Sequence, residues 1–225
     1  MLYFGPSFFL LIPALIFAVW AQVKMKNTYK KYSRVTSMRK LTGREVARLL
    51  LDSYSLSNVP VEKIAGNLTD HYDPRGQKLR LSSGVYESDS LAAIGVAAHE
   101  TGHAIQHKSG YVPMNIRQAI FPVASFGSSL AFPLFFIGFL FRTPVLMDVG
   151  ILFFTGALIF QVVTLPVEFN ASSRALVVLE NRGYILAQEK EGVKKVLSAA
   201  ALTYVAATAM AAMQLIRLFI LRGRR

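Results

Sequence analysis

The chain has 225 residues, enough for one compact domain with several membrane spans and too few for two large soluble domains. Hydrophobic residues make up 53% and mean hydropathy is +0.39, a bias toward membrane insertion. The absence of cysteine excludes a disulfide framework, a thiolate-bound metal and a thiol nucleophile; the net charge of +12, with no recognition module beside it, points to anionic lipid headgroups and not to nucleic acid.

Met1 to Val23 carries no charged side chain and reads as a transmembrane anchor over 1–23. A cleaved signal peptide wants a basic leader, whereas this run starts without Lys or Arg and passes straight into Lys24 and Lys26, so the anchor is expected to be retained. Trp20 suits an interfacial position. Seven Lys and Arg follow between 24 and 40, which predicts a cytoplasmic position for this end of the span. Thr42-Gly43-Arg44-Glu45 is a capping box that opens a helix over 43–54. Val59 to Ile64 is a short strand candidate, and Asp70-His71-Tyr72-Asp73-Pro74-Arg75-Gly76 is turn chemistry. Lys78 to Ser82 alternates as a half-buried strand does, and is expected to offer an edge to an extended peptide. A Ser88/Ser90 cap opens a helix from about 91 to 108.

No charge occurs from Gln118 to Phe141 or from Val149 to Val167. These runs predict a transmembrane hairpin over 118–167 that returns the chain to the side it left. A polar segment, 168–195, follows, and then a last uncharged run from Val196 to Ile216 within a C-terminal transmembrane or membrane-packed helix and basic tail, 196–225. Segment 24–117 holds 15 Lys and Arg and segment 168–195 holds 5, against 1 in the link 142–148. Both large polar segments are therefore expected on the cytoplasmic side of a multi-pass cell-membrane protein. The four arginines from Arg217 onward conflict with that rule if the last run spans. The fold class expected is a mainly α integral membrane protein, with three to four transmembrane helices and a small α+β zincin-like catalytic domain at the membrane surface. That domain comprises region 24–117 and the segment 168–195.

His99-Glu100-Thr101-Gly102-His103 carries the chemistry. On a helix, positions i and i+4 share a face about 6 Å apart, so His99 and His103 offer two imidazoles to one Zn2+. Glu100 sits beside them, placed to act as general base toward a water in the metal's open position. The uncharged flanks, Val96 to Ala98 and Ala104 to Ile105, suit a buried helix. A third ligand is required. His107 lies about 12 Å from His99 on a straight helix, too far for one ion. His71 is a turn histidine that either ligates, stabilises the transition state or does neither. Glu168 is the stronger candidate, because it is an acidic residue closing a long uncharged run on the side that holds His99.

The segments from Asp70 to Arg75, from Leu79 to Ser82, from Ala97 to His107 and from Leu165 to Leu176 together resemble the YugP-type membrane zinc metallopeptidases of bacteria. The similarity runs from Trp20 to Ala206. More distantly the plan is similar to HtpX-type membrane proteases, which place a transmembrane hairpin between their H-E-x-x-H helix and a Glu ligand in an E-x-x-x-D motif. Here Ser172 stands at that Asp position, and Asn170 or Ser172 is expected to supply the supporting hydrogen bond instead. The resemblance implies a gluzincin-like site with His99, His103 and Glu168 on zinc and Glu100 as base, and implies no particular substrate. The substrates expected are membrane or membrane-proximal polypeptides, handled in membrane protein quality control. The competing readings are a non-catalytic zinc-binding scaffold or chaperone partner, an intramembrane protease and a transporter. The charges from Glu87 to Lys108 exclude that helix as a span, and the spans carry few polar residues.

Overall fold

The computed structural model describes residues 6–223. The chain divides into two compact units. One comprises Val23–Met114 and Pro166–Leu202; the other comprises the described parts of Met1–Gln22 and Thr203–Arg225 together with Asn115–Leu165.

In the first unit, helix α1 (Leu11–Tyr32) supplies its C-terminal turns. Helix α2 (Gly43–Ser53) begins at Thr42, whose hydroxyl accepts from Glu45 N at 3.3 Å while the Glu45 carboxylate accepts from Thr42 N at 2.8 Å. The expected capping box is thus complete. Strands β1 (Val61–Ile64), β2 (His71–Asp73) and β3 (Lys78–Ser82) form one sheet in the order β1-β3-β2. β1 runs parallel to β3 and β2 antiparallel, with Tyr72 opposite Leu79. The expectation that 78–82 offers an edge is therefore corrected: β3 is the central strand, paired on both sides, and the edges are β1 and β2. Leu79 and Leu81 on one face of β3 are fully buried, and the strand's backbone is paired with β1 on one side and β2 on the other, which leaves it no free edge.

A short helix α3 (Ser83–Tyr86) leads to α4 (Leu91–Lys108). The Ser90 hydroxyl caps α4 by accepting from Ala93 N at 3.2 Å. Ala93, Ala97 and Ala104 on α4 pack with Leu51, Leu79 and Leu81 in one core cluster. Leu91, Ile94 and Ala98 pack with Leu50, Leu179 and Val193 in another. A helix buried on both flanks needs small side chains, which is what this stretch contains. Helix α6 (Pro144–Asn181) closes on α4 so tightly that a Cβ at Gly102 would stand 2.9 Å from the Ala171 carbonyl oxygen.

The second unit is helical. Helix α5 (Val112–Leu140), the N-terminal part of α6 and the C-terminal part of α7 (Ala187–Gly223) build it, with the first turns of α1. Among the described residues α5, α6 and α7 are each long and apolar enough to cross a membrane. Phe126, Phe136 and Val123 are exposed, as side chains facing lipid are. The interior contacts use small residues: a Cβ at Gly150 would meet the Ala131 carbonyl oxygen at 2.7 Å, and one at Gly138 would meet Met147 N at 2.7 Å. Arg222 Nε and Nη2 donate to the Asp148 carboxylate at 2.8 and 3.0 Å. The last turn of α7 therefore stands beside the first turns of α6, and the two helices run antiparallel. The anchor expected over 1–23 begins outside the described residues. Within them, the uncharged part of α1 spans 11–23.

The close approach at Gly102 generates a stability contrast. Gly102→Ala is expected to lower stability by about 1–3 kcal/mol through overpacking. Gly84→Ala, whose Cβ meets nothing within 4 Å, is expected to leave stability unchanged or slightly higher. Thermal unfolding of the solubilised protein checks both, and equal midpoints would show that the α4–α6 contact is slack.

Candidate metal centre

The 3.6-residue period of α4 stacks His99 over His103, with ring centroids 4.8 Å apart and ring planes at 82°. Residues 97–98 and 101–106 of α4 are buried, so the histidines are held by a packed rod and not by a loop. Glu168 comes from α6 and is 2% exposed. Its Oε2 lies 3.2 Å from His99 Nε2 and 3.7 Å from His103 Nε2. One ligating atom from each of the three side chains falls within 4.8 Å of the others. A tetrahedral ion with bonds of about 2.0–2.2 Å holds its ligand atoms roughly 3.4 Å apart, so this donor set fits such an ion with little movement.

Both imidazoles are tied at their other nitrogen. His99 Nδ1 lies 3.1 Å from Ser172 Oγ, and His103 Nδ1 lies 3.0 Å from Gln106 Oε1. An Nδ1–H donating to each oxygen leaves both Nε2 lone pairs aimed at the cluster, the tautomer that a metal requires. Gln106 is fully buried. Its Nε2 donates to the Val167 carbonyl at 2.8 Å and to Asn170 Oδ1 at 2.9 Å. Asn170 Oδ1 also accepts from Arg174 Nε at 2.7 Å. Ser172 thus touches a histidine directly, whereas Asn170 acts through Gln106. Sequence reading missed Gln106. Its signal was an uncharged amide within the apolar flank, one turn beyond His103 at i+3.

Glu100 is half-buried. Its Oε2 accepts from the Tyr72 backbone N–H at 3.2 Å, and that N–H belongs to the edge strand β2. Burial pushes the Glu100 carboxyl above the usual carboxylate range; the neighbouring carboxylates of Glu168 and Asp70 add to the rise, and the two imidazoles oppose it. A carboxylate so placed holds an incoming proton more readily than a solvated one. Asp70 also anchors the end of β3, accepting from Ser82 N at 2.7 Å and from Ser82 Oγ.

The other two histidines stand outside the cluster. His71 is exposed, its Nδ1 2.8 Å from the Thr69 carbonyl and its Nε2 3.4 Å from Arg80 Nη1. His107 Nδ1 is 2.9 Å from Tyr72 Oη.

The model of a protein family described as "Putative neutral zinc metallopeptidase" matches residues 7–223. The "Putative membrane protease YugP" of Bacillus subtilis (strain 168) is 49% identical over 218 residues, covering 96% of this chain and 97% of that protein. No solved structure matches the chain. Zinc is the metal of the matching family, and a His-His-Glu donor set free of sulfur, with His103 and Glu168 buried and His99 half-buried, is chemistry that suits it. With both matches running over nearly its whole length, the chain belongs to the neutral zinc metallopeptidase family.

Proposed function

We propose that the chain is a membrane-embedded endopeptidase in which His99, His103 and Glu168 hold one zinc ion and Glu100 serves as general base. One observation carries the reading: a carboxylate not engaged by the cluster, Glu100, follows His99 directly, while three ligating atoms converge within 4.8 Å. Zinc bound there would supply a water of lowered pKa and a Lewis acid for the scissile carbonyl. Glu100 accepts the proton of the attacking water as its oxygen bonds to the carbonyl carbon. The same carboxyl then delivers that proton to the departing amide nitrogen as the C–N bond breaks. Ser172 and Gln106 keep the imidazoles in register throughout. Polypeptides at or near the membrane are the substrates, and their removal in quality control is the role that fits a site beside membrane helices. The basic segments 24–117 and 168–195 favour the cytoplasmic side for the site.

Glu100→Gln is expected to cut peptide hydrolysis by about a hundredfold or more while zinc stays bound at one per chain. Metal analysis beside a casein-cleavage assay measures both; undiminished cleavage would exclude Glu100 as the base, and no cleavage by the unaltered protein would favour the scaffold reading. Glu168→Ala is expected to lower zinc content below one per chain. Gln106→Leu is expected to weaken zinc affinity by about 10–100-fold through loss of the His103 partner; a competition titration against a chelator reads the shift.

The side assignment has its own test, because the chain lacks cysteine. Thr143→Cys, exposed in the hairpin link, is expected to react with a membrane-impermeant maleimide on intact cells. Ser57→Cys, exposed between α2 and β1, is expected to react only after lysis. The reverse pattern would invert the topology.

A further inference from the structure

A cavity of about 660 Å³ opens between the C-terminal turns of α1 and the first turns of α7. Its walls carry four lysines, Lys24 and Lys31 from α1 and Lys194 and Lys195 from α7, against one carboxylate, Glu191. Glu191 meets Lys195 at 3.5 Å, so the walls carry more cationic than anionic side chains. Like charges are costly to gather in one hollow, and nothing in the metal centre uses this gathering. Leu202 and Ala199 line the cavity as well, so it joins a cationic rim to an apolar wall.

The placement of the lysines in the chain identifies the level of the cavity. Lys24 is the first charge after the uncharged run of α1, and Lys195 is the last before the uncharged run 196–216 of α7. Both walls therefore stand where apolar sequence passes into charged sequence, which is where headgroup phosphates lie. Lysine ammoniums suit a phosphate as point charges, and the apolar wall suits the first carbons of an acyl chain.

We propose that this cavity binds the phosphate headgroup of an anionic phospholipid. The occupant braces the zinc-bearing helix as well. Tyr32 lines the cavity, and a Cβ at Gly192 would meet both the Tyr32 ring and Leu91 of α4 at 2.9 Å. A headgroup held between α1 and α7 thus tightens the packing against the first turn of α4.

The test uses the purified full-length protein in detergent, with retained lipid counted by native mass spectrometry after exposure to phosphatidylglycerol or phosphatidylcholine. Phosphatidylglycerol is expected to be retained in preference and to raise the melting temperature. Lys31→Gln/Lys194→Gln is expected to weaken that retention about tenfold. Lys26→Gln/Lys30→Gln removes the same charge from exposed positions of α1 outside the cavity and is expected to change it less than about twofold. Zinc content serves as the check on folding, and Lys24→Gln/Lys195→Gln replaces the first pair if that pair loses its metal. Equal losses from the cavity and exposed pairs would mean diffuse attraction and overturn the proposal, as would no loss from either. Displacement of the lipid by millimolar inorganic phosphate would also overturn it, because the cavity would then be a site for a soluble anion.

Discussion

A carboxylate as deeply buried as Glu168 survives only beside groups that satisfy its charge. Little water reaches it, so the charge must be met from within: α4 brings two imidazole Nε2 atoms to 3.2 and 3.7 Å from it, where a shared cation would satisfy all three. That demand sets the spacing of α4 and α6. Gly102 has no side chain where the Ala171 carbonyl passes, and Gln106 spans the same gap with its amide. Alanines on the remaining faces of α4 let two core clusters close on it. The histidines are then fixed at Nδ1 by Ser172 and Gln106, with Nε2 of each turned toward the carboxylate. Few rotamers remain open to them, and a site held in this way has little to reorganise when a cation arrives.

The readable part of this arrangement was local. The i, i+4 spacing of His99 and His103 is a property of a single helix, and so are the Thr42/Glu45 box and the Ser90 cap. Glu168 was legible for a different reason: a charge that ends a long apolar run is conspicuous. What stayed hidden depends on contacts between distant segments. The bond from Tyr72 N to Glu100 crosses 28 residues, and that from Gln106 to Val167 crosses 61. No periodicity encodes either. The central place of β3 was hidden likewise, since strand order is a tertiary fact. Helix lengths were under-read because uncharged runs mark the membrane and not the helix. α6 continues past Val167 to Asn181 and stops only before Gly183, whose φ of +66° suits a helix end.

The membrane-facing unit obeys other rules. Its exposed Phe and Val residues would be a liability in water and are ordinary in lipid. Glycines at 138 and 150 bring helices into backbone contact, where lipid supplies no hydrophobic drive. Of the arginines at the C-terminal end, which opposed a simple charge rule, the two among the described residues are engaged within the fold. Arg222 forms a two-point ion pair with Asp148, and the Arg217 guanidinium lies 5.7 Å from the Phe8 ring centre. Such pairing lowers the cost of charge at that end of the helices.

His99 and Glu168 are 69 residues apart in sequence, and the whole hairpin lies between them. An ion shared by the two positions acts as a cross-link that closes this long loop. As with a disulfide, part of its benefit is entropy denied to the unfolded chain, and that benefit grows with loop length. Unlike a disulfide, the link forms from imidazole and carboxylate groups, so oxidants and reductants do not govern it; protons and competing chelators do. A cation held there would therefore clasp α4 to α6 across the whole hairpin.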